Sequence, residues 1–514
     1  MSNVRIAFDK LEGITEEEMR SGKIKPGFKF CDTHMIFDIK MDGKFTRKAR
    51  LVADGHKTNA PASITYLSVV SRDSVRICLM AASLNGLNVF ACDIGNAYLN
   101  ANCREKFWTI AGPEFGSEKG SVMIIARELY GLKSSGAAWR AKLAETMSEI
   151  GYFPSQADPD VWLKAANKKD GTPYYKYMLV YVDDILHIAE DPKEDMALIN
   201  SIYRLKESVG PPDRYLGGSM ERVQLQDGSV AWSMNCVEYL QGAISNVDNY
   251  LNECGSALKN YGKRPYPSSY CPEMDVTLEL DAESMNRYQQ YIGVLRWTIE
   301  LGRINVNTEV SCLSQNLASP REGHMHAVYK IFRYLQKNLS SNPGRMVFNG
   351  AYLETDPKLF ANSVTDPDEW NDFYPEAAEK LPAKKVVPLG KRQNTVESLS
   401  FGSEYIALRI CTEMIEALRY KLRCFGIPID GPAEVYCDNQ SVVTNSSIPS
   451  SVLNKRHNAI CYHRVREAQA AGTIKVGWIM GEYNLAETTM AGDLKHRLVH
   501  NIFNNDAEPL EVKT

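Results

Sequence analysis

Apolar and polar residues in the first part of the chain follow the period of strands and then of helices. Residues 35–52 alternate on either side of Asp42-Gly43, a dipeptide that favours a tight turn, so they predict a β-hairpin. Ser71-Arg72-Asp73-Ser74 can cap a helix. The elements predicted after the hairpin are a helix to about Asn85, a buried strand Asn88–Cys92, a helix over residues 136–150 and two apolar strands within Lys176–Ile188.

Two polar stretches divide the rest of the chain. Residues 251–272 are polar, and residues 352–394 are rich in Pro, Asp, Glu and Lys, which is typical of linkers. The elements predicted between and after these stretches are helices Ala282–Leu301, His324–Gln336, Glu404–Cys424 and Ile460–Ala471, and strands Ala433–Tyr436 and Ile474–Ile479. The last four of these in chain order make a small α/β module.

Amino-acid composition excludes few classes of protein. The 514 residues suffice for several domains, and no stretch approaches the roughly 20 apolar residues that a membrane helix needs. The 12 cysteines include no C-x-x-C pair, which indicates free thiols in a reducing compartment, the cytoplasm or the nucleus. The net charge of −4 slightly weakens a nucleic-acid-binding interpretation, although Lys40–Lys57 is locally basic.

Three aspartates follow apolar runs and could bind metal ions. Asp183 and Asp184 lie between two apolar strands, and Asp93 ends the apolar run Val89–Cys92. Phosphoryl transfer by two divalent ions requires carboxylates of this kind, held by more than one segment. By themselves, however, Asp183-Asp184 could equally be an acidic hairpin turn, and Asp93 could be a helix cap.

Eight motifs in a fixed order carry more information than any one of them. They are FDIKMDGKFTRKARLVADGH (37–56), SVVSRDSVR (68–76), FACDIGNAYLNA (90–101), ELYGLKSSGAAW (128–139), ADPDVW (157–162), YVDDILH (181–187), YLGG (215–218) and YIGVLRWTIELGRINVNTEVS (291–311). In this order they resemble the reverse transcriptase of Ty1/copia-type retrotransposons. The resemblance implies an α+β right-hand polymerase with fingers, palm and thumb, acting on dNTPs and on an RNA or DNA template with its primer.

The resemblance also implies roles for individual residues. The metal-binding positions for two Mg²⁺ (or Mn²⁺) ions are Asp93, Asp183, Asp184 and the carbonyl of Ile94. The nucleotide-binding positions are Lys40, Lys48, Arg50, Tyr98 and Ser135. Gly217 and Gly218 match the turn that lies against the primer end.

Each of these secondary positions has a plainer interpretation. Tyr98, which matches the aromatic gate under the sugar, could simply pack in the core. Lys48 and Arg50 lie two apart on a strand and share a face, but lysine is also common on solvated edge strands. Gly217 could serve a turn or a bulge. Ser134-Ser135-Gly136 departs from the Gln-Ser-Pro that is usual for the family.

The C-terminal part is similar to the family's ribonuclease H domain in a reduced form. The matching acids are Glu404, Asp438 and Glu487, the last where the family normally has Asp. The first acidic strand of such a domain should precede Lys391, and the sequence there shows none. The expectation is therefore a truncated α/β module that has lost ribonuclease H activity.

The predicted organisation has five parts: a lead-in (1–30), fingers and palm (31–225), thumb and connection (226–350), a linker (351–390) and a degenerate ribonuclease H-like module (391–514). The predicted function is RNA-directed DNA polymerisation, a nucleotidyltransferase reaction by two-metal phosphoryl transfer. The alternative is a retroelement-derived protein that no longer polymerises and that binds nucleic acid or has a structural role.

Overall fold

The computed structural model shows a mixed helix and strand protein of two units, as the α+β prediction requires. The first unit comprises Met1–Cys78 with Gly86–Pro211, and the second comprises Leu79–Asn85 with Pro212–Thr514. The structure describes residues 4–40, 46–58, 65–206, 209–225, 227–258, 265, 270–339, 344–348, 357–364, 366–375, 400–453, 458–481 and 508–509. Among these residues, no helix is both long and apolar enough to cross a membrane.

Up to Pro211 the chain forms eleven strands and four α-helices among the described residues. The strands are β1 (Phe8–Lys10), β2 (Lys29–Phe30), β3 (Thr33–Lys40), β4 (Thr46–Ala53), β5 (Asn88–Asp93), β6 (Phe107–Ile110), β7 (Val122–Ile125), β8 (Phe153–Pro154), β9 (Val161–Asn167), β10 (Pro173–Tyr181) and β11 (Asp184–Ala189). The helices are α1 (Glu16–Arg20), α2 (Arg72–Leu84), α3 (Ser135–Glu149) and α4 (Lys193–Ile202).

The central sheet of the first unit has five antiparallel strands in the order β5–β11–β10–β9–β8. Strand β11, between β5 and β10, is buried from Ile185 to Ala189, because it is paired on both edges and packed against helices. Helices α3 and α4 cover one face, where Trp139, Leu143 and Ile199 join a single apolar core with strand residues. Burying each such side chain stabilises the fold by roughly 1.5–3 kcal/mol, and this packing fixes the positions of strands β5 and β11.

Two smaller sheets complete the first unit. One is four-stranded in the order β1–β7–β6–β2, with β2 and β6 parallel. The other is the antiparallel hairpin β3–β4, in which Lys40 pairs with Thr46 and Asp38 pairs with Lys48. The predicted hairpin is thereby confirmed for its strands, while its Asp-Gly turn lies outside the described residues.

The second unit adds seven strands and seven α-helices among the described residues. The strands are β12 (Arg214–Tyr215), β13 (Gly218–Gln224), β14 (Val230–Asn235), β15 (Met346–Phe348), β16 (Ala433–Cys437), β17 (Ile474–Trp478) and β18 (Glu508–Pro509). The helices are α5 (Val237–Glu253), α6 (Ala282–Glu300), α7 (Asn307–Ser314), α8 (Glu322–Lys337), α9 (Ser400–Cys424), α10 (Gln440–Ser447) and α11 (Ala459–Ala470).

Helices α5 to α8 share one apolar core. Tyr288 and Leu295 of α6 pack there with Val310 of α7 and Ile331 of α8. Asp281 caps α6 by accepting a hydrogen bond from the backbone N–H of Ser284, at 2.7 Å. Helices α6 and α8 match the predicted helices closely, but α5 and α7 had no counterpart in the prediction.

The C-terminal elements form an α/β module around a parallel pair of strands. β16 and β17 pair in parallel, and α9, α10 and α11 contribute to their core through Tyr405, Val442 and Val465. Phe360 and Trp370 are buried, and Gly477 of β17 leaves room for the Phe360 ring. The described part of the predicted linker, 357–364 and 366–375, is therefore packed.

The division into units differs from the predicted boundary at residue 225. β13 pairs with β14 from Ser219–Asn235 to Gln224–Val230. β12 and β13 are therefore grouped with the second unit, which begins its main segment at Pro212. Strand pairing with β14 places β12 and β13 in the second unit, and no change of composition marks this boundary in the sequence.

Candidate active site

The predicted metal-binding aspartates meet at the ends of two adjacent strands. Asp184 opens β11 and pairs in register with Asp93, the last residue of β5. The backbone N–H of Ile94 donates to the carbonyl oxygen of Asp183 at 2.9 Å. Residues far apart in the chain are thus neighbours because β5 and β11 are antiparallel, and the carboxylates lie at one edge of the sheet.

The turn that carries Asp183 has a strained backbone. Tyr181 pairs with Asp184, so Val182 and Asp183 form a two-residue hairpin turn, and Val182 has a φ of 61°. Positive φ is unfavourable for a β-branched residue, at a cost of about 1–3 kcal/mol. The indole N–H of Trp139 donates to the carbonyl oxygen of Val182 at 2.8 Å and helps to hold this conformation.

A lysine that the sequence analysis did not single out bridges two of the carboxylates. The ammonium of Lys206 lies 2.7 and 2.9 Å from the two carboxylate oxygens of Asp93 and 3.3 Å from Oδ2 of Asp183. Backbone pairing fixes its place, because the N–H of Lys206 donates to the carbonyl oxygen of Asp93 at 2.9 Å. No local sequence pattern connects Lys206 with Asp93, since they come together only through this pairing.

Lys206 shows that the aspartate cluster accommodates a cation. Burial lowers the pKa of Lys206, but hydrogen bonds and the negative charges of Asp93 and Asp183 outweigh it, so that the pKa lies above its usual value. The ammonium lies between the two carboxylates and balances their negative charge. Hard carboxylate oxygens of this kind are the ligands that Mg²⁺ prefers, so the donor set fits a divalent ion.

Two tyrosines lie beside the aspartates. The rings of Tyr98 and Tyr130 are 4.8 Å apart between centroids and tilted by 60°. Burial, and secondarily the charge of Asp183, raises the pKa of each phenol above its usual value. Tyr98 also packs against the apolar core of the central sheet, as the plainer interpretation expects, and its role as a gate under the sugar stays a prediction. Tyr130 was missed by the sequence analysis.

The predicted phosphate-binding cations lie on the β3–β4 hairpin. Lys48 and Arg50 are two residues apart on β4 and pair with Asp38 and Ile36, so they share one face of the hairpin. Lys48 is exposed and Arg50 is half-buried. Lys40 pairs with Thr46 at the distal end of the hairpin, and its side chain lies outside the described part of the structure.

The hydroxyl of Ser135 is turned into the protein. It lies 2.9 Å from Oε2 of Glu128 and 2.6 Å from the carbonyl oxygen of Leu129, and the residue is only 2% exposed. Ser134 also donates to Glu128, at 3.1 Å. In this arrangement the Ser135 side chain anchors the start of α3, and its contact with a nucleotide stays a prediction.

Gly217 and Gly218 form a tight turn in the second unit. Tyr215 pairs with Gly218, and the two residues between them, Leu216 and Gly217, have φ values of 47° and 83°. A Cβ at Gly218 would crowd the side chain of Met234. Local backbone geometry therefore already accounts for both glycines, and their contact with a primer stays a prediction.

The predicted remnant acids also come together in part. Within the described residues, one group of possible metal ligands has all its donor atoms within 4.8 Å of one another: Glu404, Cys437 and Asp438. Burial, and then the neighbouring carboxylates, raises the pKa of Cys437 to about 11, so the thiol is neutral at pH 7. Glu487 lies outside the described residues.

A known protein family matches the segment of the chain that contains the first of these sites. Residues 24–239 match the family described as reverse transcriptase (RNA-dependent DNA polymerase). The chain therefore contains a reverse transcriptase domain, and this segment includes Asp93, Asp183 and Asp184.

The relatives of the chain are Ty1/copia-type retrotransposon Pol polyproteins. The chain is 24% identical over 489 residues to the retrovirus-related Pol polyprotein from transposon RE1 of Arabidopsis thaliana, covering 92% of this chain and 31% of that protein. It is 25% identical over 469 residues to the corresponding polyprotein from transposon TNT 1-94 of Nicotiana tabacum, covering 88% and 34%. A putative transposon Ty5-1 protein of Saccharomyces cerevisiae is 25% identical over 248 residues, 47% of this chain and 74% of that protein.

These comparisons confirm the resemblance predicted from the motifs. The chain spans about a third of the length of the two plant polyproteins. Similarity over about nine-tenths of the chain also extends past the matched domain into the second unit.

Proposed function

We propose that this chain is an RNA-directed DNA polymerase that adds dNTPs to the 3′ end of a primer on an RNA or DNA template. The observation that carries the proposal is the meeting of Asp93 and Asp184 in register on adjacent strands, with Asp93 and Asp183 sharing one cation. An ordinary acidic turn would not need a third aspartate from another strand or a bridging ammonium.

In the proposed site, Asp93, Asp183 and Asp184 hold divalent metal ions, two Mg²⁺ or Mn²⁺, with the carbonyl of Ile94 as a further ligand. When bound, the ions supply positive charge that lowers the pKa of the primer hydroxyl and balances the charge of the triphosphate. The carboxylates orient these charges, and the rigid sheet beneath them keeps the aspartates in place. Lys206 balances the carboxylates when no metal ion is bound.

Other residues are proposed to position the substrates. Lys40, Lys48 and Arg50 would bind the triphosphate from one face of the hairpin. Tyr98 would pack beneath the sugar. The buried hydroxyl of Ser135 supports the neighbouring segment from within, and Gly217-Gly218 would lie against the primer. Together these roles describe the fingers, palm and thumb of a right-hand polymerase.

Incorporation of dNTPs on a primed RNA template tests the proposal. The wild type should extend the primer in Mg²⁺ or Mn²⁺, and Asp183→Asn, a nearly isosteric change, should reduce extension to background. Absence of extension by the folded wild type with either ion would sink the enzyme proposal. The alternative would then be favoured: a polymerase-inactive, retroelement-derived protein that binds nucleic acid or is structural.

The second unit is proposed to carry a degenerate ribonuclease H-like module. In support, two of the predicted acids lie together with a neutral thiol, Cys437, as the third member of their cluster. A thiol is a poor ligand for Mg²⁺, which takes oxygen ligands. Cleavage of the RNA strand of an RNA–DNA hybrid by the wild type, lost in Glu404→Gln, would contradict this proposal.

We infer an intracellular, reducing location, the cytoplasm or the nucleus. All twelve cysteines are free thiols, which agrees with such a compartment. Fractionation of cells that express the chain would test the inference.

A further inference from the structure

The short turn that carries Tyr98 gives its ring little support, so the ring depends on contacts with the apolar core and with Tyr130. Tyr98 lies on the single 3-10 turn Ala97–Asn100, which directly follows the left-handed residue Asn96. So short a turn constrains side chains weakly. The ring of Tyr130 packs against Tyr98 at a centroid distance of 4.8 Å and a tilt of 60°, a geometry that aromatic pairs favour.

The backbone at Tyr130 is held by a crossing of two chain segments. The carbonyl oxygen of Tyr130 accepts a hydrogen bond from the N–H of Ala53 at 2.8 Å, and Val52 forms a parallel bridge with Tyr130. Gly131 has a φ of 94°, and a Cβ there would collide with the carbonyl oxygen of Ala53. A Cβ at Gly55 would in turn collide with the carbonyl oxygen of Gly131. The segments approach this closely because both positions are glycine.

This crossing links Tyr130 to the end of β4, the strand that carries Lys48 and Arg50. On the other side of Tyr130 the segment is anchored by buried Glu128, which accepts the hydroxyls of Ser134 and Ser135. Trp139, on the helix that starts there, supports the turn next to Asp183. Tyr130 is thus connected to the cation-bearing hairpin, to the gate residue Tyr98 and to the aspartate turn.

We propose that Tyr130 is a positioning residue for the sugar of the incoming nucleotide: its ring fixes Tyr98, and the two rings together discriminate deoxyribonucleoside from ribonucleoside triphosphates. This inference rests on the proposed polymerase function. Within the described part of the chain, neither phenol has a hydrogen-bond partner, so ring packing is the contact between the two side chains that the inference uses. Loss of the Tyr130 ring would leave Tyr98 free to turn aside and admit a 2′-hydroxyl.

The test compares kcat and KM for dCTP and CTP on a primed RNA template in wild type, Tyr130→Phe and Tyr130→Ala. Tyr130→Ala should reduce the preference for dCTP over CTP roughly tenfold, the size expected for one aromatic contact, mainly by lowering KM for CTP. Tyr130→Phe keeps the ring and should preserve the preference within about twofold. Tyr175→Ala, which removes another ring from an aromatic pair of the first unit (centroids 6.3 Å from Phe153), is the matched control and should not change the preference.

An unchanged dCTP preference in a folded Tyr130→Ala variant, with both substrates slowed equally, would overturn the inference. Loss of preference in Tyr130→Phe would also overturn it, because the ring would then not suffice. If the wild type incorporates no nucleotide, the proposed function fails separately. The Kd ratio of dCTP to CTP on the primed template with Ca²⁺ then decides: a ratio that Tyr130→Ala leaves unchanged rejects the role of Tyr130, and a reduced ratio supports it.

Discussion

Each unit of the protein contains a carboxylate cluster, and the two clusters differ in what accompanies the acids. In the first unit, Asp93 and Asp183 share the ammonium of Lys206. In the second, Glu404 and Asp438 lie with Cys437, and their donor atoms are within 4.8 Å of one another. Judged by closeness of ligand atoms alone, the second cluster is the better metal site.

The groups that lie beside the acids favour the first cluster instead. The first cluster lies at paired strand ends, next to the Tyr98–Tyr130 pair, and it already holds a cation. In the second cluster the third member is a thiol whose pKa is raised to about 11, so it suits neither Mg²⁺ nor ionisation at neutral pH. Charge balance and ligand type therefore favour the first cluster as the site for hard metal ions, whereas proximity of ligand atoms alone favours the second.

The largest expected difference is in polymerisation itself. Asp184→Asn should slow dNTP incorporation by roughly a thousandfold, about 4 kcal/mol of transition-state stabilisation, because a metal-binding charge is lost. The matched change in the second cluster, Asp438→Asn, should leave incorporation within about twofold of wild type. Similar losses in primer-extension rates for both variants would remove the distinction between the two clusters.

The second unit should depend on a buried arginine even though its acid cluster is degenerate. Arg466 donates to the carbonyl oxygens of Asn445 and Ile448 at 2.8 and 2.7 Å, and its guanidinium lies 5.0 Å from the ring centre of Trp370. Arg466→Met should lower the free energy of unfolding by about 3–5 kcal/mol, because these buried carbonyls lose their donor.

Urea unfolding followed by tryptophan fluorescence measures this effect, with dNTP incorporation measured beside it. The control Arg409→Met, which removes a partly exposed pair with Glu413, should cost less than about 1 kcal/mol. A loss no larger for Arg466→Met than for the control would show that the module does not rely on this network.

The first unit should be sensitive to acid through His187. The imidazole is fully buried, 3.0 Å from the Tyr152 hydroxyl, and burial lowers its pKa to about 4 although Asp195 is nearby. In the unfolded chain the pKa is about 6.5, so the unfolded state takes up a proton first as the pH falls. The stabilisation is complete above about pH 6.5 and falls towards pH 4 by about 3 kcal/mol.

Urea unfolding at pH 7, 5.5 and 4.5 tests this pH dependence. His187→Gln should show a smaller loss of stability on acidification than wild type, whereas His326→Gln, at an exposed position of the second unit, should follow wild type. Equal slopes in all three proteins would refute the role of His187.

The smallest effect concerns the lysine that distinguishes the first cluster. Lys206→Met removes the ammonium that competes with metal ions for Asp93 and Asp183, so Mg²⁺ should stabilise this variant more than wild type, by about 1 kcal/mol at the same concentration. Lys206→Arg retains the charge and should behave like wild type. Thermal unfolding with and without Mg²⁺ measures the difference, and an Mg²⁺ effect that is the same in Lys206→Met and wild type would reject the competition.

Much of the fold follows from local patterns. The alternation before and after Asp42-Gly43 predicted β3 and β4, and helical spacing predicted α6 and α8 within a few residues. The position of the three aspartates at the ends of apolar runs made them candidate metal ligands, and metal binding stays a prediction. Strands β12, β13 and β14 and helix α5 were not predicted, although local signals for some of them are present. Asp227-Gly228 lies at the turn between β13 and β14, and Leu240, Ile244, Val247 and Leu251 of α5 have helical spacing.

The sequence by itself determined which residues could bind metal ions, because carboxylates at strand ends are recognisable from neighbouring residues. Only the tertiary structure decided which groups accompany them. The ammonium of Lys206 contacts Asp93 because the backbones of these two residues pair. The ring of Tyr130 packs on Tyr98, next to the place where two chain segments cross at Gly55 and Gly131. The hydroxyl of Ser135 points inward to Glu128. The spacing of apolar residues shows whether a segment forms a helix or a strand. Contacts between residues distant in the chain depend on how these elements cross, and packing of the whole unit sets those crossings.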